Sequence, residues 1–225
     1  MLVAFIFTAF FATAQKTERT IVKAGDDIGQ AISPTGHYRF AEFTEGTVTM
    51  RYGSKSKTRF NYHICNGEMQ FIDAKGDTLS ISATEYIDNI SIGENAKFVF
   101  ADKFYHEIVG ETPAIKLGKR IRVNLENDRK TGHGKSDPSG SQMQLNNVVL
   151  AERTVALSYD IEVLKTTSYY WIDSEFRAMP ANKKNLLKLV EKDRQAKLQS
   201  FIEQNKTNFD SEEDLRKLLG FAATL

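Results

Sequence analysis

The sequence predicts an α+β protein, mainly an antiparallel β-meander or sandwich with a C-terminal helical hairpin. Three observations support this prediction: a hairpin signal at Asn66-Gly67, short alternating runs from residue 38 onward, and helical periodicity after Pro180. Short strands at roughly 8–12-residue spacing are typical of meanders, sandwiches and barrels. We divide the chain into four parts, which are residues 1–14, 15–37, 38–178 and 179–225.

Residues 1–14 read MLVAFIFTAFFATA and predict a signal peptide. The uncharged run from Leu2 to Ala14 is shorter than the ~20 residues of a membrane-spanning helix. Ala12-Thr13-Ala14 has the small-x-small pattern that precedes a signal-peptidase cut. We therefore expect export, no transmembrane span and a mature chain that begins at Gln15. A buried strand or helix and a membrane anchor are the alternatives.

Residues 15–37 are polar and lack clear periodicity. We interpret them as a leader segment, in which only residues 20–23 suggest a short strand.

Residues 57–82 carry the strongest local signal. Asn66-Gly67 suits a two-residue type I′ turn, which needs positive φ at both central positions. This turn would pair Cys65 with Glu68, Ile64 with Met69, His63 with Gln70 and Tyr62 with Phe71. The apolar alternation agrees, since it places on one face Phe60, Tyr62, Ile64, Met69 and Phe71.

Further alternating runs predict the other strands of the domain. They comprise residues 46–52, 78–82, 90–92, 97–101, 104–109, 114–117, 120–125, 154–164 and 169–172. Residues 127–147 are rich in Gly, Ser, Asn and charge, which predicts a long exposed loop or insertion.

The period changes to about 3.6 residues after Pro180. Leu186, Leu187, Val190, Leu198 and Phe201 predict one amphipathic helix over residues 182–204 that packs on the sheet. Residues 210–213 resemble a capping box that opens a second helix, and Gly220 is the residue expected to end it.

The overall charge points to no particular partner. The net charge is +1, which gives no reason to expect nucleic-acid binding. The charge is nevertheless segregated: residues 68–111 sum to −6, and residues 112–135 sum to +5. Complementary neighbouring strands explain this pattern more simply than an anion-binding site does.

No catalytic, metal or cofactor motif emerges. Gly134-Lys135-Ser136 resembles the end of a phosphate-binding loop, but Arg129 stands where that motif needs glycine. The four histidines lack metal-ligand spacing. Cys65 is the single cysteine, and we interpret it as structural because His63, two residues away on a strand, is too far for a nucleophile–base hydrogen bond.

Two regions are candidate binding sites. Tyr169 and Trp171 share one strand face and could stack on a sugar or enter an interface if that face is open, although aromatic residues in such a run more often fill a core. The 127–147 loop contributes Lys130, His133 and Lys135. A basic stretch with Arg51, Lys55, Lys57 and Arg59 is interpreted as a solvated face.

Two segments resemble a family of uncharacterised exported proteins of Bacteroidetes-type bacteria. The first contains Phe60-Asn61-Tyr62, then residues 67–72 (GEMQFI) and 75–79 (KGDTL). The second is the helical tail, with residues 182–189 (NKKNLLKL) and 213–215 (EDL). The resemblance implies a Gram-negative envelope location, periplasmic or extracellular. It implies no functional residue, because the family has no known activity.

We predict a non-catalytic exported envelope protein that binds a partner protein or a glycan. Two alternatives stay open: a hydrolase of envelope or dietary polymers that uses a carboxylate pair, and a carrier of an apolar ligand. A pocket with two carboxylates roughly 5–10 Å apart would favour the hydrolase. An apolar cavity inside the sheet would favour the carrier.

Overall fold

The computed structural model describes residues 15–26, 28–32, 34–127 and 160–225. Within these ranges the fold consists of one antiparallel sheet and a C-terminal group of helices. The predicted signal peptide and nearly all of the 127–147 loop lie outside the described residues. No helix in the described part of the chain is long and apolar enough to cross a membrane.

Apart from α1, which follows β1, and a short 3-10 turn, the described strands precede the helices along the chain. The strands are β1 Gln15–Val22, β2 Thr44–Met50, β3 Lys55–His63, β4 Glu68–Ile72, β5 Thr78–Ser80, β6 Ile87–Ile92, β7 Ala96–Ala101, β8 Phe104–Glu111, β9 Lys116–Asn127, β10 Ile161–Ile172 and β11 Ala178–Pro180. The helices are α1 Ile28–Ile32, α2 Lys183–Leu189, α3 Lys192–Gln204 and α4 Glu212–Ala222, and a 3-10 turn spans Thr84–Tyr86.

The described strands form a single sheet in the order β1-β10-β9-β8-β7-β6-β2-β3-β4-β5, with β11 beside β10. The largest apolar core combines Val22 of β1, Met69 of β4 and Phe98 of β7, with Ile32 of α1. Strands from opposite ends of the strand order therefore meet, and the sheet curls around its own core. This architecture confirms the predicted α+β class with mainly antiparallel strands.

The N-terminal strand is longer than the sequence predicts. Residues 15–22 pair with β10 over the whole of β1, from Gln15 opposite Ser168 to Val22 opposite Ile161. The polar composition of this segment reflects its place at the sheet edge, where residues 16–21 are exposed and Val22 alone is buried. The first part of the predicted leader, residues 15–22, is thus an edge strand, and residues 28–32 of the same segment form α1.

The central hairpin exists, but its predicted turn is wrong. Tyr62 pairs with Met69 and His63 with Glu68, so residues 64–67 form a four-residue loop. The N–H of Gly67 donates to the His63 carbonyl at 2.9 Å. Gly67 has φ +68° but Asn66 does not have positive φ, which excludes type I′. The register shift is two residues, so each side chain keeps its predicted face.

The C-terminal region has three helices rather than a hairpin. The predicted helix over 182–204 is interrupted at Val190, whose backbone is extended. The Gln195 side chain spans the break and donates to the carbonyls of Leu187 (2.7 Å) and Val190 (3.2 Å). Ser211 caps α4 by accepting from the Asp214 N–H at 3.3 Å, one residue later than the predicted capping box. Gly220 does not end that helix, which continues to Ala222.

The helices dock on the sheet as predicted. Leu186, Leu198 and Leu215 are fully buried in a second core, where they share one cluster with Leu117 of β9 and Trp171 of β10. Phe201 stacks on Phe221 with ring centroids 4.2 Å apart, which joins α3 to α4. The apolar stripe of the helices therefore finds its partner surface on one face of β8, β9 and β10.

Candidate functional site

Tyr169 and Trp171 do not form an open aromatic face. Trp171 is 0% exposed and Tyr169 is 8% exposed, because the helices cover this side of β10. The Trp171 Nε1–H donates to the Asn182 carbonyl at 3.3 Å, and the Tyr169 hydroxyl donates to Glu212 at 3.5 Å. Both residues belong to the second core. They were binding candidates only if their strand face is open, and this face is covered. Lys130, His133 and Lys135 lie outside the described residues.

The basic stretch lines a shallow groove of about 520 Å³ across β2, β3 and β6. Its walls include Glu45, Thr47, Lys57 and Arg59, and its floor is Gly46, where a Cβ would collide with the Ser91 carbonyl oxygen. Lys57 and Arg59 are exposed and keep their solvation. The groove lining combines the acidic Glu45 with the basic Lys57 and Arg59.

A smaller cleft of about 180 Å³ combines aromatic, basic, amide and apolar residues in its lining. It opens where β8 separates from β9, because the pairing of these strands stops at Glu107 opposite Lys119 while β9 continues to Asn127 beside β10. Residues 120–124 of β9 form one wall, and residues 64–67 of the β3–β4 loop form the other. Phe104, at the start of β8, stands at the opening.

Two arginines of β9, Arg120 and Arg122, line this cleft. Val123 and Leu125 point into the main core, whereas Arg120 and Arg122 take the opposite face. The Arg120 guanidinium carbon lies 3.3 Å from the ring centroid of Phe104, which is 42% exposed. Within the described residues neither arginine forms an ion pair. The cleft therefore has a half-buried cation on an aromatic platform and an exposed cation beside it.

The electrostatics of the cleft favour an anionic ligand. Burial lowers the pKa of Arg120, and the charge of Arg122 lowers it further, while Tyr170 and Tyr62 act in the opposite direction. Repulsion between two guanidinium groups is relieved when an anion lies between them. Burial raises the pKa of Tyr62 to about 12, so its hydroxyl is neutral at physiological pH and can donate or accept a hydrogen bond.

Cys65 lines the same cleft but is not an activated nucleophile. Burial raises the pKa of its thiol to about 12, whereas catalytic cysteines have a lowered pKa. The neighbouring His63 is engaged elsewhere: its Nδ1 accepts from the Asn66 N–H at 3.2 Å, and its ring stacks on His37 at 6.0 Å. This arrangement supports a structural role for both residues.

One pair of carboxylates lies close together outside the cleft. Glu107 and Glu212 lie 3.9 Å and 3.3 Å from the same ammonium, that of Lys119. Glu107 is also held by two hydrogen bonds from Arg39. Neither glutamate borders the groove or the cleft. These cation-bound carboxylates do not match a general acid beside a free carboxylate. Among the described residues no three His, Cys, Asp or Glu side chains form a potential metal site.

The sequence contained a partial signal for this cleft. Arg120 and Arg122 lie in the +5 segment, for which an anion-binding site was the second interpretation. Lys119 follows the first interpretation, since it faces Glu107 across β8 and β9. The β3–β4 loop was not predictable as the opposite wall, because its approach to β9 depends on how the sheet curls. The chain matches no protein-family model, no curated protein and no solved structure.

Proposed function

We propose that this chain is a non-catalytic exported envelope protein that binds a glycan or a protein partner through the cleft beside β9. The observation that carries the proposal is the Arg120–Phe104 stack, which fixes a cation and an exposed aromatic ring at one accessible opening. Aromatic and arginine side chains dominate the energetics of recognition surfaces. A protonated Cys65 beside them supports binding over nucleophilic chemistry.

A capture experiment tests the contact site. Tagged wild-type protein, Phe104→Ala and the control Tyr52→Ala are incubated with native envelope extract and with immobilised glycans. Tyr52 is 73% exposed and distant from the cleft lining. We expect Phe104→Ala to lose capture and Tyr52→Ala to retain it, with unchanged far-UV circular dichroism in both. Equal capture by all three proteins would contradict the cleft as the site.

Catalysis and export are tested separately. Panels of peptide, ester and glycan substrates should show no turnover, and specific hydrolysis abolished by one Asp or Glu substitution would favour the hydrolase alternative. For export, intact-mass analysis of protein from the native envelope should give a chain that begins at Gln15. Retention of Met1 in a cytoplasmic pool would contradict the export proposal.

A further inference from the structure

The charge in the cleft has no counter-charge among the described residues. Arg122 is exposed and Arg120 is half-buried, and no described carboxylate lies within ion-pair distance of either one. Some basic side chains of the sheet have such partners: Lys97 of β7 contacts Glu111 at 2.8 Å, and Lys119 of β9 contacts Glu212 at 3.3 Å. Guanidinium groups bind carboxylate, phosphate and sulfate through parallel N–H···O bonds. An acidic group is therefore the ligand chemistry that this pair fits.

The size of the cleft limits what carries the acidic group. Its volume of about 180 Å³ is below the roughly 300–1,000 Å³ of sites for drug-sized molecules. One ring-sized unit fits this space, but an extended peptide of several residues does not. Three residues of the lining, Asn124, Asn66 and Tyr62, carry polar side chains of the type that hydrogen-bonds to sugar hydroxyl groups.

We infer that the cleft binds a single acidic sugar residue, with its carboxylate, phosphate or sulfate group between Arg120 and Arg122 and its ring beside Phe104. This inference rests on the proposed function and names the class of ligand. A sugar is favoured over an acidic peptide because one ring combines the charge, the hydroxyl groups and the small volume.

Isothermal titration of the folded chain tests the ligand class. The probes are glucuronate and glucose 6-phosphate, with glucose as the neutral match, inorganic phosphate as the free anion and tetraglutamate as the acidic peptide. We expect at least one acidic sugar to bind about tenfold or more tightly than glucose, since a charge-assisted pair contributes about that factor. Added salt should weaken the binding because the site is partly exposed.

Substitution of Arg122 locates the charge contact. Arg122 is exposed, so Arg122→Gln should fold normally and should bind the acidic sugar about tenfold more weakly. The matched control is Arg59→Gln, which removes an exposed arginine from the groove on β3 and should leave the affinity unchanged. Circular dichroism of both variants verifies folding.

Several outcomes would overturn the inference. Equal affinity for glucose and glucuronate would show that charge is not recognised, and tighter binding of tetraglutamate or of free phosphate would assign another ligand. Unchanged binding in Arg122→Gln, or no saturable binding of either acidic sugar up to roughly 10 mM, would also contradict it. Envelope capture separates the two proposals: loss in Phe104→Ala with full capture in Arg122→Gln would retain the proposed function and reject the acidic ligand.

Discussion

Arg39 and Glu107 form a bidentate ion pair across 68 residues of sequence, with Nε and Nη2 of Arg39 each 3.0 Å from a carboxylate oxygen. Glu107 lies on β8 between Tyr105, which belongs to the main core, and Val109, which belongs to the second core. Lys119 extends the pair to Glu212 on α4 at 3.3 Å. The resulting polar layer links the segment before β2, the sheet and the last helix.

The substitution Glu107→Gln should destabilise the fold because it leaves two cations without their shared anion. The side chain of Glu107 is 13% exposed and that of Arg39 is 36% exposed, so the cost should be below that of a fully buried pair, at about 2 kcal/mol. Urea denaturation measures this loss of unfolding free energy.

The control for Glu107 is the exposed pair of Glu213 and Lys217 on α4, which are 2.7 Å apart. Glu213→Gln should give no measurable change. A double-mutant cycle with Arg39→Gln then isolates the pairwise energy. If Glu107→Gln were as harmless as Glu213→Gln, the polar layer would not contribute to stability.

Gly67 should be the sensitive position of the β3–β4 loop. Its φ of +68° disfavours residues with a Cβ, so Gly67→Val should cost about 1–3 kcal/mol. Gly67→Asn should be well tolerated, because asparagine adopts this region more readily. Thermal denaturation measures the stability of these variants, together with Gly67→Ala and Asn66→Ala. Asn66→Ala should cost less stability than Gly67→Ala. A cost for Asn66→Ala as large as that for Gly67→Ala would contradict this assignment, because it would indicate positive φ at both positions.

Trp171 should determine stability rather than recognition. Trp171→Ala removes a side chain that is 0% exposed and should cost about 3–5 kcal/mol. It also leaves the Asn182 carbonyl without its indole donor. Denaturant titration measures the loss, with Tyr52→Ala as an exposed aromatic control. A variant with wild-type stability would mean that the helices do not cover this face in solution.

Local sequence patterns predicted strands and side-chain faces because these depend on neighbouring residues. Phe60 and Tyr62 lie on the core side as predicted, although the loop register differs by two residues. The pairing of β2 with β6, and of β1 with β10, joins segments far apart in the chain. Such pairings depend on the collective packing of the main core, which no local alternation encodes.

The candidate site shows the same limit. Alternation predicted that Tyr169 and Trp171 share a face, but not that Leu186 and Leu198 would cover it. The excess of positive charge included Arg120 and Arg122, yet only the register of β8 with β9 shows that neither one has an ion-pair partner within the described part of the chain. The residues of the proposed site were therefore not predicted, because their exposure depends on tertiary structure.

His106 should make the protein less stable in mild acid. Burial lowers its pKa from 6.5 to about 4, opposed by the hydrogen bond of its Nε2 to the Ala101 carbonyl. The unfolded chain therefore binds a proton at higher pH than the folded chain, and stability falls as pH decreases from about 6.5 toward 4. The loss between pH 7 and pH 5 should be about 2 kcal/mol.

The pH dependence is measured by urea unfolding at pH 7, 6 and 5. His106→Gln can retain a donor to the Ala101 carbonyl but cannot titrate, so its stability should fall less over this range. His63 contributes a residual slope in the same direction, because burial and His37 lower its pKa. An identical slope in wild type and His106→Gln would show that His106 does not stay neutral in the fold.

Cys65 should react slowly with alkylating reagents although it borders the cleft. Only the thiolate is nucleophilic, and a pKa of about 12 leaves far less thiolate at neutral pH than the ordinary value near 8.5 does. We expect iodoacetamide to modify the folded protein at least about 100-fold more slowly than the urea-denatured protein. Mass spectrometry at timed intervals measures both rates on the same chain, so the denatured sample is the control for the folded one.

Slow modification of Cys65 agrees with a structural thiol in a binding cleft. A folded-state rate equal to or above the denatured rate would reveal an activated cysteine, and the nucleophilic chemistry set aside for this cleft would then need to be tested directly with Cys65→Ser.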